Sequence, residues 1–151
     1  MSSEENKALI RRYVQVIDDN DSSDWSILDE FISEDVVVHN PLLPGLTPDL
    51  EGIKQAAEVF RQATPGRHEI PLQVAEGDLV VSVIVGRGVH AGELLGIPAT
   101  GNEVETEGIA VTESPTGGSS STGRSATSHA CFSKWARSPH RPAFKGFKSL
   151  T

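Results

Sequence analysis

The sequence is short of several things, and each shortage excludes something. Its 151 residues contain one cysteine, Cys131. A lone thiol excludes an internal disulfide and any multi-cysteine metal site. No apolar run approaches the ~18 residues of a membrane-spanning helix. The N-terminus, Met1 to Lys7, has neither the basic start nor the apolar core of a signal peptide. These absences lead to the expectation of a soluble, cytoplasmic protein with no membrane partner. A formal net charge of −8 argues against a nucleic-acid partner. The length suits a single domain.

Acid is missing from one part of the chain altogether. Residues 1–113 carry all 21 acidic residues and 7 of the 13 basic ones, a net of −14. Residues 114–151 carry six bases, no acid and nine serines. Hydrophobic periodicity also stops at Glu113. The expectation is therefore a folded unit over residues 5–113 and an irregular basic tail over 114–151. Lacking an apolar period, the tail is expected to pack poorly and to leave the strand before it with an unpaired edge. His129, Cys131 and His140 lie in this tail, and their spacing fits no standard zinc pattern, so no metal site is expected.

Within residues 1–113 the periodicity is informative. Ser2 followed by Glu5 forms a capping-box pattern ahead of Leu9, Ile10, Tyr13, Val14 and Ile17, which predicts a helix over 3–19. Trp25, Leu28, Phe31 and Ile32 predict a short helix over 24–33. Ile53, Ala56, Ala57 and Phe60 predict a third over 50–63. Strands are expected near 36–40, 70–75, 79–90 and 103–112, with Glu76-Gly77-Asp78 as a hairpin turn. Helices first and strands later indicate an α+β fold with a mainly antiparallel sheet.

One stretch carries a more specific signal. It reads Gly86-Arg-Gly-Val-His90-Ala-Gly92-Glu-Leu-Leu-Gly96-Ile-Pro98-Ala-Thr100-Gly101. With His39-Asn40-Pro41 at a strand end and Ala75-Glu-Gly-Asp-Leu-Val80 before the long strand, it resembles the SnoaL-like polyketide cyclase (ester cyclase) family. The resemblance implies a cone-shaped barrel in which a curved antiparallel sheet and N-terminal helices enclose a pocket, usually in a homodimer. It implies a small hydrophobic ligand or polyketide as partner. It also implies aldol-type ring closure without metal or organic cofactor, because the substrate's own carbonyls acidify the C–H bond.

By that resemblance His90 is the catalytic donor to a carbonyl. The base would be an aspartate after the tryptophan of a last strand, which has no counterpart here. From the residues alone, His90 can equally cap a strand end. His39 and Asn40 are candidates for binding substrate, with an Asx-type turn before Pro41 as the alternative. Tyr13 is either core or a phenol aimed into the cavity. Glu105 and Glu107 could serve as bases if their strand face lines the pocket. A non-catalytic ligand-binding domain, or a cofactor-free hydrolase or hydroxylase of the same superfamily, remains open as an alternative to a cyclase.

The resemblance stops near Ser114, where the family continues with a last strand and a closing helix. A shifted reading frame restores much of it. Over Pro115 to Gly123 that frame permits Asp-Gly-Gly-Lys and then Glu-His-Trp. Arg124 to Thr127 permits an aspartate four positions after that tryptophan. Ala130 to Ala136 permits Arg-Leu-Leu-Gln-Gln-Val-Gly. The expectation is that residues from about Ser114 on are an out-of-frame translation of a SnoaL-like C-terminus, with a true divergent tail as the alternative.

Overall fold

The computed structural model of the protein describes residues 2–113 and 125–132. Helix α1 spans Ser3–Asp19 and is set by the capping box the sequence predicts. The Ser2 hydroxyl accepts the Glu5 N–H at 3.2 Å, and the Glu5 carboxylate accepts the Ser2 N–H at 2.6 Å. Helix α2 spans Leu50–Ala63, and the Asp49 carboxylate accepts the Gly52 N–H at its start.

The expected helix over 24–33 is corrected. Ser26–Glu30 forms one short 3-10 segment, and Ile32 already belongs to strand β1, Ile32–Val38. Trp25, Leu28 and Phe31 recur every three residues, a spacing that a three-residue turn satisfies. Ile32, Val36 and Val38 are β-branched and bury well from a strand. The other strands are β2 (Gly66–Glu76), β3 (Leu79–Val89), β4 (Glu103–Glu113) and β5 (Ser125–Phe132). Strand β2 begins four residues before the expected 70.

The sheet order is β1-β5-β4-β3-β2. All neighbours are antiparallel except β1 and β5. Register shifts between Ile32 and Val37 and between Glu69 and Leu72 bend the sheet.

Strand β5 overturns one expectation. Residues 125–132 are not irregular; they pair with β4 from Gly108 to Glu113. An open strand edge recruits a partner through backbone N–H and C=O groups, which needs an extended chain but no apolar period. Residues 114–124 and 133–151, where the rest of that expectation falls, lie outside the described residues.

The sheet has two unlike faces. Gln73, Val80 and Ser82 face α1, and the Gln73 amide donates to the Ser82 hydroxyl at 3.0 Å. Val80 and Ser82 are each 1% exposed. Further along the same face Ile84, Gly86, Thr106, Gly108 and Ala110 are only half-buried, because α1 does not reach across them. The opposite face carries Leu72, Val74, Ile109, Glu105 and Glu107, which are exposed, and Val85, which is buried. No helix among the described residues is long and apolar enough to cross a membrane.

The main core lies between α1, the 3-10 segment, β1 and α2. It is built on Trp25, Leu28, Phe31, Ile32 and Val36. Glu58 of α2 ties this layer together. Its carboxylate accepts from Trp25 Nε1 (2.8 Å), Arg61 (2.8 and 3.1 Å), Ser23 Oγ (3.1 Å) and Gln62. These donors, Arg61 first and Trp25 next, pull its pKa from 4.5 to about 2. A folded pKa below the unfolded one adds stability that is complete above the unfolded value and disappears as pH falls through the folded one. Denaturant unfolding should therefore show stability declining from about pH 5 to pH 2. Glu58→Gln should remove part of that decline while lowering stability at pH 7.

Candidate functional site

The site is built where α2 ends. The last carbonyls of a helix have no intrahelical partner. Here the end of β3 supplies one. The Ala63 carbonyl accepts the N–H groups of Ala91 (2.9 Å) and Gly92 (3.1 Å), and the Pro65 carbonyl accepts that of Val89 (3.2 Å). Backbone passes so close that a Cβ on Gly88 would lie 2.4 Å from the Pro65 oxygen. One on Gly92 would lie 2.7 Å from the Gln62 oxygen.

His90 stands between these contacts. Its N–H donates to the Asn102 carbonyl and its own carbonyl accepts the Gly101 N–H, both at 2.9 Å. The loop between them folds on a tight turn in which Leu95 and Gly96 have φ of 51° and 79° and Leu94 and Ile97 exchange both backbone hydrogen bonds. Leu94 then packs with Leu43 and Ala63 in a second small core. The outcome is an imidazole 2% exposed, with Nδ1 3.0 Å from the Thr100 hydroxyl. That hydroxyl oxygen already accepts the Asn102 N–H at 3.3 Å, which leaves its proton available to Nδ1. In the tautomer in which Nδ1 accepts from Thr100, Nε2 carries the ring proton.

The other expected site residues are placed differently. His39 and Asn40 are exposed just beyond the end of β1. Leu43, three residues after Asn40, reaches the small core beside the His90 loop. Tyr13 belongs to the helix-layer core, where its ring meets that of Phe31 at 6.1 Å. Burial pushes its phenol up to about 12, so it stays protonated at neutral pH. Glu105 and Glu107 are on the sheet face away from α1, and Glu105 is bound to Arg87 at 2.7 Å.

Sequence reasoning missed one pair. Asp18, near the end of α1, accepts the backbone N–H of His68 at 2.8 Å and contacts its Nδ1 at 2.6 Å. Fifty residues separate the two, and neither lies in a motif. Among the described residues no group of three or more His, Cys, Asp or Glu converges as a metal site.

The family model of SnoaL-like polyketide cyclases matches residues 7–125. The chain belongs to the SnoaL-like polyketide cyclase family. No curated protein matches it in sequence. Solved structures do match this SnoaL-like chain in fold. AclR from Streptomyces galilaeus, a proposed hydroxylase, is 21% identical, with a TM-score of 0.71 over 87% of this chain and 80% of AclR. TsrD from Streptomyces laurentii is 19% identical, with a TM-score of 0.71 over 87% and 90%. IdmH from Streptomyces antibioticus, a proposed polyketide cyclase, is 24% identical, with a TM-score of 0.67 over 84% and 91%. These likenesses establish the α+β fold.

The close backbone approach makes a direct prediction for this SnoaL-like chain. Gly92→Ala should push the His90 loop off α2 and cost about 1–3 kcal/mol in denaturant unfolding. It should also expose His90 to solvent, visible as faster hydrogen exchange at residues 89–92.

Proposed function

We propose that this protein binds a small hydrophobic carbonyl compound, with the His90 imidazole donating a hydrogen bond to the carbonyl oxygen. The single observation that carries this reading is a buried imidazole anchored by Thr100 at the end of β3, inside the His-x-Gly stretch typical of the family. A donor held away from water stabilises a developing enolate or alkoxide more than a solvated one does. His39, Asn40 and Tyr13 are the proposed substrate-binding residues. The reaction would be an intramolecular aldol closure. A base removes a proton next to one carbonyl, the resulting carbon attacks a second carbonyl, and the alkoxide takes a proton. No organic cofactor or metal enters that sequence.

The chain as written lacks the family's aspartate base. That observation favours a second reading, a non-catalytic ligand-binding domain. The proposed origin of the lack is the shifted frame beginning near Ser114. We also propose that the protein is cytoplasmic and pairs as a homodimer. Leu72 and Val74 of β2 and Ile109 of β4, exposed on the outward sheet face on either side of β3, support the pairing.

The test expresses both the present chain and the frame-restored one. Each is assayed for binding and closure of a polyketide methyl ester. The present chain should bind the ester and close it ~100- to 10,000-fold more slowly than the restored chain. His90→Gln in the restored chain should lower kcat about 100-fold or more. Equal activity of the two chains would place the base within residues 1–113. Binding by neither would reject the proposed ligand class. Resequencing around codon 114 checks the frame.

A further inference from the structure

We infer that Asp18 and His68 form a proton-transfer site, with His68 as the base that takes a proton from an enolisable carbonyl compound. The inference rests on the proposed ligand class but uses residues separate from His90.

Three observations lead to it. The first is the way Asp18 is used. Its side chain is 7% exposed, and both oxygens are spent on one residue, Oδ2 on the His68 backbone N–H and Oδ1 on the ring Nδ1. A carboxylate at Nδ1 holds the proton there and leaves Nε2 as the acceptor, which is the working arrangement of a histidine base. The neighbouring acid, Asp19, does not compete, because it pairs with Arg67 at 2.6 Å.

The second is what surrounds Nε2. Its edge of the ring packs over Gly86, where only a glycine leaves room for it. His68 Nε2 and the Thr106 hydroxyl both come within 3.1 Å of the point where a Cβ on Gly86 would sit. The Nε2 edge of the ring and the Thr106 hydroxyl thus converge over one point of the sheet. The third is access. His68 is 39% exposed and edges an open groove of about 350 Å³ between α1 and β2, lined also by Arg11, Val14, Gln15, Arg67 and Ile70. The Thr64–Pro65 connection crosses over Gly88, between this point and His90, so the two histidines serve separate positions.

The step balances without a co-reactant. The Nε2 lone pair takes the proton of the C–H bond next to the carbonyl. The bonding electrons move onto the carbonyl oxygen, where the Thr106 hydroxyl donates to the enolate. Return of the proton from His68 regenerates the ketone.

The experiment follows deuterium exchange into the CH2 group of deoxybenzoin, a slowly exchanging apolar ketone, in D2O by NMR. The full chain should speed exchange well above imidazole buffer at equal concentration. His68→Gln should lower that rate ~100-fold or more, and Asp18→Asn should lower it at least tenfold. Nitrogen NMR of the unmutated protein, which needs no variant to fold, should show His68 protonated on Nδ1. A proton on Nε2 would overturn the inference. So would exchange no faster than buffer, as expected if Asp18 and His68 only tie α1 to β2. Exchange retained in His68→Gln but lost in His90→Gln would also overturn it while leaving the His90 reading intact. Loss in His68→Gln with no change in His90→Gln would support the inference and count against the His90 reading.

Discussion

The unsatisfied carbonyls at the end of α2 govern the arrangement around His90. A helix that stops leaves acceptors that must be met. Here they are met by the end of β3 and the first residues of its loop. That demand brings α2, β2 and β3 to one place and brings backbone onto backbone at Gly88 and Gly92. It also buries His90. A histidine there is dry because the loop is tied to the helix on one side and to Asn102 on the other, while Leu94 seals the gap with Leu43 and Ala63.

Helix α1 meets a different requirement. One side of it carries Leu9, Tyr13, Val16 and Ile17 into the helix-layer core. The side facing the sheet is polar at both ends. The buried Asn6 amide donates to the Gly77 carbonyl at 3.3 Å, and Asp18 grips His68. Buried polar groups must be paired, so these contacts set where the helix lies along β2 as well as holding it there. Because α1 covers Val80 and Ser82 but stops short of β4, the small residues Gly86, Thr106, Gly108 and Ala110 form a floor that is only half closed. The proposed chemistry of the molecule, at His68 and at His90, borders that floor and the loop beyond it.

The outward sheet face shows why pattern alone left the glutamates open. Glu105 and Glu107 alternate with Ile109 and Val111 in register with Arg87, Val85, Val83 and Val81 of β3. Alternation specifies that these side chains share a face. It does not specify which face the helices cover. Packing of α1 against Gln73 and Ser82 decides that, and it puts both glutamates on the far side. Strand β5 illustrates the same limit for edges, since pairing with β4 is a backbone matter that side-chain periodicity does not report.

What was legible in the sequence was local. The capping box and apolar spacing of α1, the stripe of α2, the Glu76-Gly77-Asp78 turn and the three long strands all depend on residues near one another in the chain. The His-x-Gly stretch likewise marks His90, because its glycines and Thr100 lie within ten residues of it. The Trp25–Phe31 segment was half legible, since a three-residue spacing suits a 3-10 turn as well as an α-helix. The tertiary structure decided the rest. The meeting of Asp18 with His68, the grip of Glu58 on Trp25, the face given to Glu105 and the reach of Leu43 to Leu94 each join residues 33 to 51 positions apart or depend on which side a helix lies. Short-range periodicity follows from the geometry of a single element. Contacts between elements follow from how they pack, and that is a property of the whole chain.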